Sequence, residues 1–274
     1  MCKMLVNIVV DWLIPRSGRV MELESLGASG LSEKIPLADN QKLALEQKTG
    51  VDVWAIFNYR NPLCRQAIWE IKFRGNKKLI ADFAQILYEK ILEDWAERVV
   101  FGGGGVIIEG REAVQSQEPR KGRPAGRNIR PEDKNTRPAI LVPMPSARAR
   151  RRERGFNQCE LIAEKIVELD RARGQNNFVS ANKILYKKVE TVHQARAKNR
   201  EERLNNMKGV FAVRDTAFND HDTSPLANQN TGTLARQHFI LIDDVITTGA
   251  TMTEAVRALR EAGATKISAY TLAH

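Results

Sequence analysis

The chain has 274 residues, a hydrophobic content of 42% and a formal net charge of +10. That is enough apolar material for a globular core and sets one large domain or two modest ones as the expectation. There is no run of about 18 apolar residues, which excludes a membrane-spanning helix. The three cysteines (Cys2, Cys64 and Cys159) lie far apart in sequence, which excludes a C-x-x-C metal knuckle and a disulfide framework.

The positive charge is concentrated. Residues 102–154 hold 13 Lys/Arg and six Asp/Glu, a net +7 in that window. Such a window suits a polyanionic small substrate, a nucleic acid or a solvated tail. The cysteine usage predicts a reduced, cytoplasmic setting.

Residues 1–50 carry no clear period, although Leu13-Ile14-Pro15-Arg16 reads as the end of a short amphipathic helix. Residues 51–60 alternate well enough for a strand or hairpin arm. Residues 62–98 read as helical. A basic break at Lys72-Phe73-Arg74-Gly75 is followed by a stripe of Leu79, Ile80, Phe83, Ile86, Leu87, Ile91, Leu92 and Trp95, which predicts core packing. Residues 102–137 open on four glycines and continue rich in Pro, Arg, Gly and Glu, as expected of a flexible basic insertion.

Order resumes at Pro138. Ala139–Val142 reads as a buried strand, closed by Pro143-Met144-Pro145, with Ser146 a candidate cap for the next helical segment. Arg148 to Arg154 lead into Gly155-Phe156-Asn157-Gln158, then a helix with Leu161, Ile162, Ile166 and Leu169 on one face. A strand is expected within 178–185 and another at 209–213, with a polar basic segment between them and a second mobile insertion at 214–237.

The stretch 238–251 holds the most chemistry. Phe239–Ile242 reads as a buried parallel strand that Asp243 and Asp244 end. Thr247, Thr248, Gly249 and Thr251 form a small-residue turn, and Met252, Ala255, Val256 and Leu259 line one face of the helix after it. Helix N-terminal amides carry partial positive charge, and a turn without bulky side chains lets an anion reach them. A last strand spans Lys266–Leu272. Strands alternating with helices from 138 to 272 predict an α/β fold with a doubly wound, mostly parallel sheet, whose ligands bind at the carboxyl ends of its strands.

Apolar strand, Asp-Asp, two residues and Thr-Thr-Gly-x-Thr resemble the signature of type I phosphoribosyltransferases, enzymes that use phosphoribosyl pyrophosphate (PRPP). The resemblance implies ribose contact by Asp243 and Asp244 and a 5′-phosphate site at Thr247, Thr248, Gly249, Ala250 and Thr251. It also implies a pyrophosphate loop at Ser146, Ala147 and Arg148, Mg²⁺ brought in on PRPP, and a mobile basic loop over Lys187–Arg203 in which Lys187, Lys188, Arg196 and Arg200 are candidates.

Arg154-Gly155-Phe156-Asn157-Gln158 after a Pro-x-Pro turn is similar to the ComF family within that superfamily. So are Thr191-x-x-Gln194 with Arg200, and Lys72-Phe73-Arg74-Gly75 upstream. The resemblance covers roughly residues 55–98 and 138–274. It departs at residues 1–50, where the cysteine-rich zinc module of many ComF proteins is missing and only Cys2 remains, so no zinc is expected.

The implied organisation is an uncertain N-terminal segment (1–50), a smaller helical or mixed hood (51–101), the basic insertion (102–137) and a phosphoribosyltransferase core (138–274). The implied activity is displacement of pyrophosphate from PRPP by a nitrogen nucleophile. The alternative is a nucleic-acid-binding accessory of DNA uptake in competence, with single-stranded DNA or competence proteins as partners and the PRPP site vestigial or regulatory. The low aromatic content of 6% argues against a stacking platform for single strands.

Overall fold

The computed structural model describes residues 18–38, 49–101, 138–188, 209–214 and 234–274. The expected insertion at 102–137, most of that at 214–237, and Thr191, Gln194, Arg196 and Arg200 lie outside the described residues, as does the expected helix end at residues 13–16.

Five strands form one parallel sheet: β1 (Asp52–Phe57), β2 (Ala139–Pro143), β3 (Phe178–Ser180), β6 (His238–Val245) and β7 (Lys266–Ala273), in the order β1-β7-β6-β2-β3. Two short strands, β4 (Leu185–Lys187) and β5 (Phe211–Val213), make a separate antiparallel ribbon. The helices are α1 (Gly18–Lys34), α2 (Pro62–Trp69), α3 (Lys77–Phe101), α4 (Arg148–Arg154), α5 (Gln158–Ala172) and α6 (Ala250–Glu261). A π-helical turn, Glu70–Arg74, joins α2 to the approach to α3. Among the described residues no helix is long and apolar enough to cross a membrane.

The central strands are apolar at nearly every position because both faces are covered. Ile240 and Ile242 of β6 pack with Leu23 of α1, Ile68 of α2, Phe83 and Leu87 of α3, and Ile162 and Ile166 of α5. Phe239 and Leu241 point the other way, into a cluster with Met252, Ala255, Val256 and Leu259 of α6 and with Leu185 and Phe211 of the ribbon. The α3 stripe read from the sequence is buried from Leu79 to Ile91. This is the expected doubly wound α/β architecture.

Of the local expectations, one is met and three are revised. The 51–60 segment is the strand rather than the hairpin arm, since β1 lies parallel to β7 at the sheet edge. Residues 18–34, which show no period, form α1, kinked at Gly27 (φ 65°, ψ −177°) and held by Val20, Leu23 and Leu31. Asp243 and Asp244 do not end their strand: β6 runs to Val245, with Asp243 opposite Thr271 and Val245 opposite Ala273. The expected strand within 178–185 is two elements, β3 and the first residue of β4.

The topology locates the ligand-binding end. From β2 the chain crosses through α5 to β3 on one side, whereas from β6 it crosses through α6 to β7 on the other. The two crossovers diverge between β2 and β6, so the crevice beyond their carboxyl ends is the switch point at which such sheets bind ligands.

Candidate functional site

A cleft of about 270 Å³ opens at that switch point. Pro145, Ser146 and Ala147 wall it after β2, Asp243, Asp244, Thr247 and Thr251 after β6, and Lys72 and Lys187 reach it from outside the sheet.

On the β6 side, the Asp244 N–H donates to Asp243 Oδ1 at 2.9 Å, fixing the Asp243 carboxylate against the backbone of the next residue. Asp244 is buried and takes two partners from distant elements. Lys72 Nζ on the π-helical turn lies 3.0 Å from its Oδ1, and Gln158 Nε2 at the start of α5 donates to its Oδ2. Cys159 Sγ lies 3.8 Å from Asp243 Oδ1. Burial and the neighbouring Asp244 carboxylate push the Asp243 pKa up to about 7. Burial, then the two carboxylates, push the Cys159 thiol well above its ordinary range. The thiol therefore stays protonated and can donate to the acid beside it.

Beyond the strand, Gly249 adopts φ 76° as the residue preceding α6, a conformation that favours glycine. Thr248 Oγ1 accepts from the Ala250 N–H at 3.4 Å. Thr247 is exposed, and Thr251 belongs to the first turn of α6 rather than to the turn before it. Of the five residues assigned to the phosphate turn, Thr247 and Thr251 line the cleft directly. Thr248, Gly249 and Ala250 shape the backbone between them.

On the β2 side, Pro143 ends the strand and the chain turns into α4. Ser146 does not cap that helix: the capping position is Ala147, with no side-chain hydrogen bond. Ser146 Oγ is instead buried, with no hydrogen-bond partner among the described residues. Arg148 is exposed and lines a neighbouring cavity, while Arg150, two residues on, lines the cleft.

The Arg-Gly-Phe-Asn-Gln motif acquires a physical role at each position. Arg154 lies 4.6 Å over the Phe73 ring and lines the cleft. Gly155 ends α4 with φ 77°. Phe156 packs against Gly75, where an added Cβ would meet its ring at 3.0 Å. Asn157 caps α5 by accepting from the Cys159 N–H at 3.1 Å and ties in the proline turn by donating to Met144 O at 3.0 Å. Gln158 holds Asp244. The motif thus locks the loop after β2 to the acids after β6.

Sequence reasoning did not assign Lys72 to the acids, nor Cys159, Tyr59 or Arg150 to the cleft. Lys72 stands in the quoted upstream pattern, but nothing local says that this pattern meets β6. Cys159 directly follows the Arg-Gly-Phe-Asn-Gln motif at the start of a helix aimed at the switch point, which is the one signal that could have placed it.

Against known families, a model described as phosphoribosyl transferase domain matches residues 196–274, which takes in β5, β6, α6 and β7. Competence protein ComFC of Bacillus subtilis is 28% identical over 212 residues, covering 77% of this chain and 71% of that protein. Competence protein F of Haemophilus influenzae is 27% identical over 136 residues, half of each chain. These similarities reach both halves of the cleft and fit a parallel sheet that presents an acidic pair and a glycine turn at its switch point. The chain thus has the parallel α/β fold expected of a phosphoribosyl transferase domain, matches that domain over residues 196–274 and is similar to competence proteins of the ComF type.

Proposed function

We propose that the cleft binds PRPP with Mg²⁺ and that the protein transfers its phosphoribosyl group to a nitrogen nucleophile. The observation that carries this reading is the single cleft shared by the Asp243/Asp244 pair and the Pro145–Ala147 loop. Sugar hydroxyls suit the acids, the 5′-phosphate suits the open turn and amides before α6, and the pyrophosphate suits the loop around Ser146.

In the reaction the C1′–O bond to pyrophosphate breaks, the leaving oxygen keeps the electron pair, and a C1′–N bond forms as the nitrogen releases a proton. The chain supplies orientation and charge. Asp243 and Asp244 fix the ribose and favour positive charge developing at C1′. Lys187 and Arg150 line the cleft as cations for the departing pyrophosphate. Mg²⁺ on the PRPP phosphates would add to that neutralisation. The two carboxylates offer the hard oxygens this ion accepts, directly or through water, and the protonated Cys159 thiol does not compete. The acceptor would enter from the side of Phe73 and Phe156, where a groove of about 540 Å³ adjoins the cleft at Arg154.

Titration calorimetry with Mg²⁺ and PRPP tests binding, and pyrophosphate release in the presence of nitrogenous acceptors tests transfer. Binding should weaken at least about tenfold, or 1.4 kcal/mol, in Asp243→Asn/Asp244→Asn. Absent binding in the wild type, or unchanged affinity in the variant, would overturn the reading.

A second reading, handling of single-stranded DNA in competence, draws on the names of the two relatives and on Arg148, Arg150, Arg151 and Arg152, all exposed on α4. It requires oligonucleotide binding with a steep salt dependence that survives Thr247→Ala/Thr248→Ala.

A further inference from the structure

Beside the cleft lies a second cavity of about 390 Å³. Six cations line it: Arg148 and Arg151 of α4, Lys183, Lys187 and Lys188 around β4, and Arg214 directly after β5. The carboxylate among its lining residues is Glu160, which Arg151 holds at 2.8 Å. Among the described residues the other five cations form no ion pair. Lys187 lies 5.6 Å from the Phe211 ring and Arg214 4.9 Å from the Tyr186 ring. Like charges gathered in one concavity repel, and a bound polyanion relieves that repulsion. Burial, with Arg150 adding to it, lowers the Lys187 pKa, as expected of a cation drawn inward without a full counter-charge.

The cavity is continuous with the cleft, since Pro145, Ser146 and Lys187 line both. Ser146 Oγ, buried and unpartnered among the described residues, stands at the junction. The aromatic ring among the lining residues is Tyr186, and Arg214 already occupies one of its faces, which leaves little of a stacking platform for a base. What the two cavities share is therefore recognition of a phosphate chain.

We infer that the second cavity binds the distal end of a linear chain of three or more phosphates whose proximal end sits in the loop at Ser146, so that this ligand excludes PRPP. The assignment of that loop rests on the PRPP reading, and the distal cavity is new to it. Free polyphosphate and a nucleoside triphosphate both present this chemistry.

Calorimetry on the full chain at one fixed Mg²⁺ concentration, with pyrophosphate, inorganic tripolyphosphate, a purine nucleoside triphosphate and a 20-nucleotide single strand as probes, tests it. Tripolyphosphate should bind about tenfold more tightly than pyrophosphate and compete with PRPP. Lys183→Gln/Arg214→Gln should erase that gain while leaving pyrophosphate affinity unchanged, which also shows that the variant is folded. Equal binding of the nucleoside triphosphate and tripolyphosphate supports recognition of the phosphate chain alone, and tighter binding of the nucleotide supports a nucleotide source. Asp243→Asn/Asp244→Asn should lose PRPP but keep tripolyphosphate, so failure of the PRPP reading and failure of this one give different results. Equal wild-type affinity for pyrophosphate and tripolyphosphate would overturn the inference. So would a gain that survives the double substitution, or single-strand binding that exceeds tripolyphosphate binding and vanishes in Lys183→Gln/Arg214→Gln.

Discussion

Asp243 stands where a carboxylate is least comfortable, partly buried at the end of a central strand and fixed beside a second acid. Its pKa rises from the ordinary 3.8 to about 7, because burial and then Asp244 disfavour its charge. A folded-state pKa above the unfolded one means that the protonated form contributes stability that is fully present below about pH 4 and lost as the pH rises through about 7. Asp243→Asn keeps an oxygen for the Asp244 N–H and never ionises. It should therefore unfold at a higher temperature than the wild type at pH 8, by up to about 4 kcal/mol in stability, with the advantage vanishing near pH 4. Thermal unfolding at the two pH values checks this, and an offset independent of pH would refute it. The same change should weaken PRPP binding, as expected where a site holds a charge the fold alone does not favour. Asp170 shows the opposite arrangement. It is fully buried, yet it accepts from the Asn177 N–H at 2.7 Å, Asn177 Nδ2 at 2.9 Å, the Phe178 N–H at 3.3 Å and Tyr88 OH at 3.2 Å. Those donors satisfy its oxygens and tie α3 and α5 to the start of β3.

At the scale of the element, the π-helical turn Glu70–Arg74 decides which side chains reach the cleft. Widening the helix by one residue per turn shifts the faces beyond it, and such turns recur at functional sites. Here Lys72 meets Asp244, while Phe73 packs 5.3 Å from Trp69 and under Arg154. Gly75 closes the turn at φ 61°, its N–H donating to Glu70 O. Gly75→Ala should cost about 2 kcal/mol, through the left-handed backbone and the close approach of its Cβ to Phe156. Urea unfolding measures it, and a loss under about 0.5 kcal/mol would mean that the turn relaxes freely. The sequence showed this turn as a basic break in a helical stretch. The hydrophobic stripe resumes on either side of it, but a change of helical period over five residues leaves too short a trace to read.

At the scale of the whole molecule, the sheet and the helices before it form one body. Leu23, Ile68, Phe83 and Leu87 from the first hundred residues cover Ile240, Ile242, Tyr270 and Leu272. Tyr270 OH donates to the buried Asp94 at 2.8 Å, and β1 pairs along β7. A chain of residues 138–274 alone would leave that sheet face covered by α5 only, with Tyr270 and Leu272 stripped of their α1–α3 neighbours and β7 at an open edge. Expressed alone it should aggregate or bind a hydrophobic dye without cooperative unfolding. A soluble fragment with a sharp transition within about 5 °C of the full chain would show instead that the core is autonomous.

The sequence by itself determined β2, β6, β7, α5 and α6, the acidic pair, the glycine turn and the proline loop. These rest on short-range physics: apolar runs between breakers, small residues where amides must be bare, and a helical stripe of period 3.6. It also indicated the parallel sheet, because strand and helix alternate through the last half of the chain. The tertiary structure alone decided the rest. Helix α1 forms through packing of Val20, Leu23 and Leu31 despite glycines at 18, 27 and 30, so local propensity does not announce it. Strand β1 joins the sheet through β7, a partner more than two hundred residues on, and alternation cannot name a partner. Lys72 and Gln158 converge on Asp244 from separate helical segments, and Ser146 proves a buried hydroxyl, unpartnered among the described residues, rather than a cap. Motifs are written locally in the chain. The ion pair, the shared walls of two cavities and the raised acid arise from which elements the core brings together, and only the folded molecule holds that information.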